Sequence, residues 1–287
     1  MSALRGVKAE ETQQRLKVFF YGAAKVGKTT ASIQFPKPYW IDTEGSADKP
    51  IYVELMKKSG GVVFQTQDFE EVVKEVKLLM TEKHEFKTLI IDSFTILYND
   101  LIDKYEDSIG AEFGRHLAAA NKRVKHLLNL LLRLDMNVII TSHSKSEYRV
   151  EGKSMVNLGT TFDCYKKLDY LFDLIVEVQK RGKERVALIK GTRFDCFKED
   201  ECFPFTYDEI ASRYGKEVME KDAVPVRIAE FNQVVELMKL IELIKIPEET
   251  VNKWLKKANS ETLEEMPYDA IQKCIEHLKT QIKGEIA

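Results

Sequence analysis

The sequence predicts an α/β fold with a mostly parallel, twisted sheet, an antiparallel extension of that sheet and a small C-terminal helical satellite. Five short apolar runs alternate with segments of helical periodicity through the first half of the chain. This alternation is typical of parallel strands joined by helices. Two later apolar runs are separated by a basic turn at residues 180–183, which predicts a hairpin. From about residue 226 onward the pattern is purely helical.

The apolar runs have the length of buried strands and lie at residues 17–22, 38–42, 62–65, 87–92 and 137–142. Helical patterns are expected between them at 28–34, 67–82 and 113–135. The hairpin strands are 171–179 and 184–190, and a loop at 194–208 follows them. Proline and Asn-Ser breaks divide the last helices into 226–244, 248–258, 261–265 and 267–283. The predicted domains are a short N-terminal arm at 1–15, a core at 16–208 and a helical region at 209–287.

Length and composition are ordinary for a soluble globular protein. The 287 residues can form one large domain with a satellite, and the chain is 44% apolar and 31% charged. No apolar run approaches ~18 residues, so we expect no membrane span. The N-terminal segment lacks the apolar core of a secretory signal. We expect a cytoplasmic protein whose cysteines, which show no C-x-x-C spacing, are reduced: Cys164, Cys196, Cys202 and Cys274.

The charge balance limits how the chain can bind nucleic acid. Lysine and arginine together number 44, aspartate and glutamate 46, and the net charge is −2. These values argue against a protein coated in basic surface. Any contact with nucleic acid must therefore depend on local patches or on a partner.

A phosphate-binding loop follows the first predicted strand. Its sequence fits G-x-x-x-x-G-K-[ST], in which two glycines let consecutive backbone N–H groups point at phosphate oxygens. Lys28 is expected to neutralise the β- and γ-phosphates of ATP, and the Thr29 hydroxyl to ligate Mg²⁺. The predicted nucleotide-binding segment is Gly22, Ala23, Ala24, Lys25, Val26, Gly27, Lys28, Thr29 and Thr30.

Polar side chains also follow three other predicted strands, and parallel strands bring such ends to one edge of a sheet. Asp92 is expected to hold Mg²⁺ through water, although a carboxylate before Ser93 is also typical of a helix cap. Glu44 stands where a carboxylate can orient and deprotonate an attacking water. His143 is a candidate contact for the γ-phosphate. A solvated loop carboxylate and a packed or solvated histidine are the alternatives for Glu44 and His143.

Residues 144–169 form a long polar segment with two glycines and little periodicity. Long loops in compact domains are usually functional or disordered. Lys145, Arg149 and Lys153 can contact a nucleic-acid backbone, and Tyr148 can stack on a base. Two glutamates dilute the positive charge, and a mobile loop without a ligand is the alternative.

Together, the motifs in residues 16–195 resemble those of the RecA-like P-loop ATPases. More narrowly, they resemble compact phage proteins of the Sak type, in which a RecA-type core is linked to single-strand annealing. The resemblance lies in the order of four elements. The phosphate loop comes first, followed by the strand before Glu44, the strand that ends at Asp92 and the strand before His143.

The resemblance implies further roles for four residues. Asp48 and Tyr52 would contact adenine, since this segment resembles the family's adenine-binding segment with one extra residue. Lys190 and Arg193 would reach the ATP of a neighbouring subunit and stabilise the charge that develops during transfer. Lys190 matches the family by position, whereas Arg193 is shifted by one. Both could instead be surface charges at a strand end.

The function implied by this resemblance is that of a DNA-stimulated ATPase in recombination or single-strand annealing. Its cofactors would be ATP and Mg²⁺, and it would bind single-stranded DNA as a homo-oligomeric ring or filament. A single-strand-binding protein is an expected further partner, and the cytoplasm of a phage-infected or prophage-bearing bacterium is the expected location. The alternatives are a helicase or loader motor, a P-loop kinase of a small metabolite and a nucleotide-gated scaffold. The kinase is disfavoured because no arginine-rich lid is evident.

Overall fold

The computed structural model describes residues 14–151 and 154–286. Its strands are β1 (Lys17–Gly22), β2 (Pro38–Asp42), β3 (Val62–Gln65), β4 (Thr88–Asp92), β5 (Asn137–Glu151), β6 (Ser154–Phe162), β7 (Leu174–Arg181), β8 (Glu184–Thr192) and β9 (Cys202–Pro204). Its helices are α1 (Lys28–Ser32), α2 (Pro50–Ser59), α3 (Phe69–Thr81), α4 (Phe94–Ile109), α5 (Arg115–Arg133), α6 (Tyr207–Tyr214), α7 (Lys216–Met219), α8 (Phe231–Ile244), α9 (Glu248–Lys257) and α10 (Tyr268–Ile286).

The strands form one sheet in the order β3-β2-β4-β5-β1-β7-β8-β9, and β6 pairs with the second half of β5. β1 is parallel to both β5 and β7, whereas β8 and β9 are antiparallel to their neighbours. Every residue of β1 and β4 is buried, as expected for strands covered on both faces. The predicted α/β class, with a mostly parallel sheet and an antiparallel extension, is confirmed.

Strand register brings the polar strand ends to one edge of the sheet. Gly22 at the end of β1 pairs with His143 of β5, and Asp42 at the end of β2 pairs with Asp92 at the end of β4. The segments that follow β1, β2 and β4 therefore leave the sheet at the same edge, beside His143. This is the geometry that a site shared by four strands requires.

The described residues form two compact units. The sheet unit comprises residues 14–65, 86–95 and 136–222, and it contains all the strands listed above. The helical unit comprises residues 66–85, 96–135 and 223–286. The domain boundaries expected from the sequence stay predictions.

The core of the sheet unit is built from large apolar side chains of the strands. Phe20, Trp40 and Ile90 are fully buried. The Phe20 ring meets Phe205 edge-on, at a centroid distance of 5.0 Å. This contact ties the segment that follows β9 to the strand that carries the phosphate-binding loop.

The helical unit has an apolar core of its own. Leu237 of α8 and Ile271, Ile275 and Leu278 of α10 are fully buried in it. The last three lie at the spacing of one helical face. Among the residues that the structure describes, no helix is long and apolar enough to cross a membrane.

The prediction of an aperiodic loop over residues 144–169 is wrong for residues 144–151 and 154–162. β5 continues without a break from the sheet to Glu151, and β6 returns antiparallel to it, with a register shift between Glu147 and Tyr148. The hairpin escaped prediction because the described side chains of residues 145–149 and 155–160 are all exposed. Without one buried face, a strand shows no apolar–polar alternation.

Other elements were also missed, although local signals for two of them exist. α2 has Pro50 in its first turn and ends at Gly60, whose φ of 69° suits a helix C-terminus. α4 carries Phe94, Leu97 and Leu101 at helical spacing, and all three are buried. The predicted loop at 194–208 contains β9, which is three residues long and is defined by pairing with β8 rather than by its own pattern.

Candidate nucleotide-binding site

Two glycines of the phosphate-binding loop occupy backbone positions that other residues would strain. Gly22 has φ 154°, and a β-carbon there would lie 2.4 Å from the carbonyl oxygen of Val178. Gly27 has φ 102° and immediately precedes α1. Glycine is therefore required where β1 passes closely beside β7, and again where the loop turns into the helix.

The side chain of Lys28 folds back into the phosphate-binding loop. Its Nζ donates hydrogen bonds to the carbonyl oxygens of Gly22 at 2.8 Å and Ala23 at 2.9 Å. Burial lowers the pKa of Lys28, while the carboxylates of Asp92 and Glu44 act in the opposite direction. The ammonium group is thus held at the centre of the loop, where phosphate oxygens would replace the carbonyl contacts.

Asp92 is buried between two hydroxyl groups. Thr29 Oγ1 donates to Asp92 Oδ2 at 2.6 Å, and Thr141 Oγ1 donates to Oδ1. Burial raises the pKa of Asp92; the two hydroxyl hydrogen bonds lower it, Glu44 raises it further and Lys28 lowers it. The protein shields this carboxylate from solvent. A cation bound to it would offset the unfavourable energy of its buried negative charge.

The donor set here fits Mg²⁺. The side-chain oxygens of Thr29 and Asp92 are adjacent, and hard oxygen ligands are those that Mg²⁺ takes. The described residues contain no group of three or more His, Cys, Asp or Glu side chains that could hold a metal ion. A Mg²⁺ ion beside Thr29 and Asp92 would complete its ligands with water and substrate phosphates.

Glu44 sits on a turn that Asp42 holds in place. Asp42 is buried, and its carboxylate accepts hydrogen bonds from the backbone N–H groups of Glu44 at 3.0 Å, Ser46 at 2.6 Å and Ala47 at 2.8 Å. Asp42 was not among the residues predicted from the sequence for this site. It is a positioning residue, since it fixes the backbone that presents Glu44 to the site.

Glu44 and His143 form a hydrogen-bonded pair at the same edge of the sheet. His143 Nε2 lies 2.9 Å from Glu44 Oε1 and 3.4 Å from the Ser93 hydroxyl. The His143 backbone N–H donates to Thr95 Oγ1 at 3.0 Å, and this hydrogen bond holds β5 against the start of α4. An imidazole with its proton on Nε2 can donate to the carboxylate, so movement of either side chain is transmitted to the other.

A cavity of about 560 Å³ connects these groups. Ten of the residues predicted from the sequence for this site line the cavity: Ala24, Lys25, Gly27, Lys28, Thr29, Thr30, Glu44, Tyr52, Asp92 and His143. Gly22, Ala23, Val26 and Asp48 were also predicted to bind the nucleotide but do not line this cavity. The structure therefore brings together the phosphate loop, the carboxylate on the metal side, the candidate base and the candidate sensor.

The family model that describes an AAA domain (AAA_24) matches residues 14–203, roughly two thirds of the chain. The chain belongs to the AAA domain family. No curated protein matches the chain. Membership of this family, together with the intact pattern of the phosphate-binding loop, identifies residues 14–203 as the nucleotide-binding ATPase part of the protein.

Seven lining residues of this AAA domain site were not predicted: Ala31, Gln34, Ser46, Lys49, Arg185, Phe205 and Thr206. The last three lie on or directly after the antiparallel strands β8 and β9. Arg185 of β8 packs on Gly27, because a β-carbon on Gly27 would lie 3.5 Å from Arg185 Cδ. Phe205 donates its backbone N–H to the Arg185 carbonyl oxygen at 2.8 Å, and Thr206 follows it as the cap of α6. The Arg185 side chain is half-buried and forms no hydrogen bond or ion pair with any other residue that the structure describes.

Only one of the two predicted adenine contacts lines the cavity. Tyr52 lines the cavity, and its ring meets Trp40 edge-on at a centroid distance of 5.7 Å. Lys49 Nζ lies 6.0 Å from the centre of the Tyr52 ring. Asp48 is exposed and lies outside the cavity lining. The nucleotide-binding role of both residues stays a prediction.

Lys190 and Arg193 do not line the cavity of their own chain. Lys190 is exposed on β8. Arg193 forms an ion pair with Asp173 at 3.1 Å and donates to the Tyr170 carbonyl oxygen at 2.7 Å. A role for Arg193 in a second subunit would therefore require it to leave these partners, and that role stays a prediction.

Three of the four predicted DNA-binding residues, Lys145, Tyr148 and Arg149, lie on β5 in the β5–β6 hairpin. Lys145 forms an ion pair with Asp163 at 2.8 Å, so its charge is partly used within the chain. Tyr148 is 52% exposed, and Arg149 is exposed beside it. Lys153 lies outside the described residues. On the returning strand, Met155 is 68% exposed, which leaves an apolar side chain open to solvent near Tyr148.

Proposed function

We propose that this AAA-domain ATPase is a DNA recombination protein of the Sak type, which binds and anneals single-stranded DNA as a homo-oligomer. ATP binding and hydrolysis follow from the family and the site. The action on DNA, the oligomer and a single-strand-binding protein as partner are the proposed part.

One observation carries the proposal: β5 bears both the candidate sensor and the candidate DNA contacts. His143 and Tyr148 are five positions apart on one continuous strand. His143 contacts Glu44 at the nucleotide cavity, whereas Tyr148 and Arg149 are exposed on the hairpin. An exposed aromatic beside a cation is suited to stacking on bases and holding a phosphate backbone.

The chemistry proposed for the site assigns one task to each group. Lys28 and the loop N–H groups bind the β- and γ-phosphates, and Glu44 takes the proton of the attacking water. Mg²⁺, when bound by Thr29 and Asp92, supplies positive charge to the phosphate oxygens. Loss of the γ-phosphate contact shifts His143 and, through β5, the hairpin.

The decisive experiment measures ATP hydrolysis with and without single-stranded DNA, followed by annealing of complementary strands. We expect stimulation of hydrolysis and ATP-dependent annealing. The double variant Tyr148→Ala/Arg149→Ala should lose the stimulation and keep basal hydrolysis. Its matched control is Tyr170→Ala/Arg181→Ala, which removes an exposed tyrosine and an exposed arginine elsewhere in the sheet unit.

Three results would count against the proposal. A rate of ATP hydrolysis that single-stranded DNA leaves unchanged would contradict the proposed coupling of hydrolysis to DNA binding. Strand unwinding without annealing would favour a helicase or loader motor. Equal loss in the hairpin variant and its control would show that the hairpin has no specific role.

A further inference from the structure

Three lysines of the helical unit converge on one small cavity. Lys122 and Lys125 come from α5, Lys256 comes from α9, and the cavity has a volume of about 250 Å³. All three residues are exposed. None of their ammonium groups forms a hydrogen bond or an ion pair with another residue in the part of the chain that the structure describes.

The carboxylates nearby are already engaged with other cations. Glu261 also lines the cavity, but it forms an ion pair with Arg123 at 2.5 Å and lies 3.7 Å from His126 Nδ1. Glu265 forms an ion pair with Lys77 and lies 3.5 Å from His126 Nε2. The charges of the three lysines are therefore left without a counter-ion of their own among the described residues.

The remaining polar groups of the cavity favour an oxyanion. The side-chain amides of Asn129 and Asn259 line it and form no hydrogen bonds with other described residues. Each amide can donate two hydrogen bonds, and each lysine three. Like charges at positions i and i+3 of a helix, such as Lys122 and Lys125, repel each other, and a bound anion offsets this repulsion. The cavity is smaller than the ~300–1,000 Å³ that small-molecule ligands occupy, which suits one phosphate group of a longer molecule.

The positive surface continues across α9. Lys257, the next residue along, lines a second cavity of about 480 Å³ together with Lys273 and His277. Asp269 also lines this cavity and is acidic, and Trp254 supplies an aromatic surface. Cations in two adjacent cavities, with an aromatic ring beside them, are suited to a strand with repeated phosphates and stacking bases.

We propose that the cavity lined by Lys122, Lys125 and Lys256 binds the phosphate backbone of single-stranded nucleic acid. This site lies in the helical unit and does not involve the β5–β6 hairpin. It shares its ligand class with the proposed function and depends on none of the residues of the ATPase site.

The test uses the full chain and a fluorescent oligothymidylate, with binding followed by anisotropy over a range of salt concentrations. The variant is Lys122→Gln/Lys125→Gln/Lys256→Gln. The control is Lys57→Gln/Lys74→Gln/Lys239→Gln, which removes the same charge from three exposed lysines without ion pairs to other described residues. We expect about tenfold weaker binding in the variant at low salt and a salt slope smaller by about 2, since each phosphate contact on a single strand contributes ~0.7. The control should stay within about twofold of the wild type, and basal ATP hydrolysis should be unchanged in both.

Three results would overturn the inference: equal weakening in variant and control, no weakening in the variant, or displacement of the oligonucleotide by inorganic phosphate at matched ionic strength. The last result would assign the cavity to free phosphate. Loss of binding in the lysine variant, with binding intact in the Tyr148→Ala/Arg149→Ala variant, would support this site and count against the hairpin. The reverse pattern would support the proposed function and count against this site.

Discussion

The nucleotide cavity has two walls of different origin. One wall follows the parallel strands β1, β2, β4 and β5 and carries Lys28, Glu44, Asp92 and His143. The other follows the antiparallel strands β8 and β9 and carries Arg185, Phe205 and Thr206. The first contains the groups that can change bonds and the second contains packing surfaces and one cation. We expect substitutions in the first to lower turnover and substitutions in the second to weaken nucleotide binding.

The largest effect is expected for Glu44→Gln. The amide keeps the shape and the hydrogen-bonding capacity towards His143 but cannot accept a proton from water. We expect kcat for ATP hydrolysis to fall by about 10²–10⁴-fold while the Kd for ATP changes by less than about threefold. Steady-state hydrolysis and equilibrium titration with a fluorescent nucleotide measure the two quantities. Hydrolysis at the wild-type rate would remove Glu44 from the role of base.

A second variant of the parallel wall, Asp92→Asn, separates activity from stability. Hydrolysis that depends on Mg²⁺ should fall by about 100-fold, since the neutral amide is a poor ligand for the cation. Burial raises the pKa of Asp92, so the ionised carboxyl destabilises the native state at neutral pH. Thermal unfolding near neutral pH should therefore show an equal or higher Tm, by ~2–4 °C for each kcal/mol gained.

The pH dependence of this difference provides a check. As the pH falls through the raised pKa, the wild-type carboxyl becomes protonated, and its stability approaches that of the Asp92→Asn variant. The difference in Tm should shrink towards acidic pH. A variant that is less stable at neutral pH and hydrolyses ATP normally would contradict both expectations.

Arg185→Ala tests the antiparallel wall. The half-buried guanidinium packs on Gly27 without a partner among the described residues, so it is available to the nucleotide. We expect about tenfold weaker ATP binding with kcat changed by less than about threefold. Arg181→Ala is the control, since Arg181 is exposed, lies outside the nucleotide cavity and donates to Gln179. A fall in kcat without a change in the Kd for ATP would show that Arg185 acts in hydrolysis, and it would contradict the difference expected between the two walls.

The smallest effect is expected for His143→Gln. Glutamine can still donate a hydrogen bond to Glu44, so basal kcat should fall by less than about tenfold. The proposed stimulation by single-stranded DNA should fall more than the basal rate, because His143 lines the nucleotide cavity on the same strand that forms the hairpin. Both rates come from the same hydrolysis assay. Equal changes in the two rates would leave His143 with a role in the site alone.

The parallel wall was predictable and the antiparallel wall was not, for a physical reason. A local motif predicts Lys28. Asp92 and Glu44 are predicted because each comes at the end of an apolar run that is recognisable in the sequence. Arg185 and Phe205 are twenty residues apart and enter the cavity through the pairing of β8 with β9. Asp42 was missed because its partners are backbone N–H groups, which the sequence of side chains does not reveal. The hairpin was missed because the described side chains of residues 145–149 and 155–160 are all exposed and have no buried face.

Because β5 runs without a break from the nucleotide cavity into the hairpin, a small rotation of the strand at the cavity would move the far end of the hairpin much further. At ~3.3 Å per residue, the strand extends about 26 Å from His143 to Glu151. A tilt of about 5° at the nucleotide end would displace the far end by ~2 Å, with no hinge required between them. The register shift between Glu147 and Tyr148 is the point where this stiffness is weakest. In the proposed coupling, the rigidity of the strand at that step would set how far a change at the nucleotide end is transmitted.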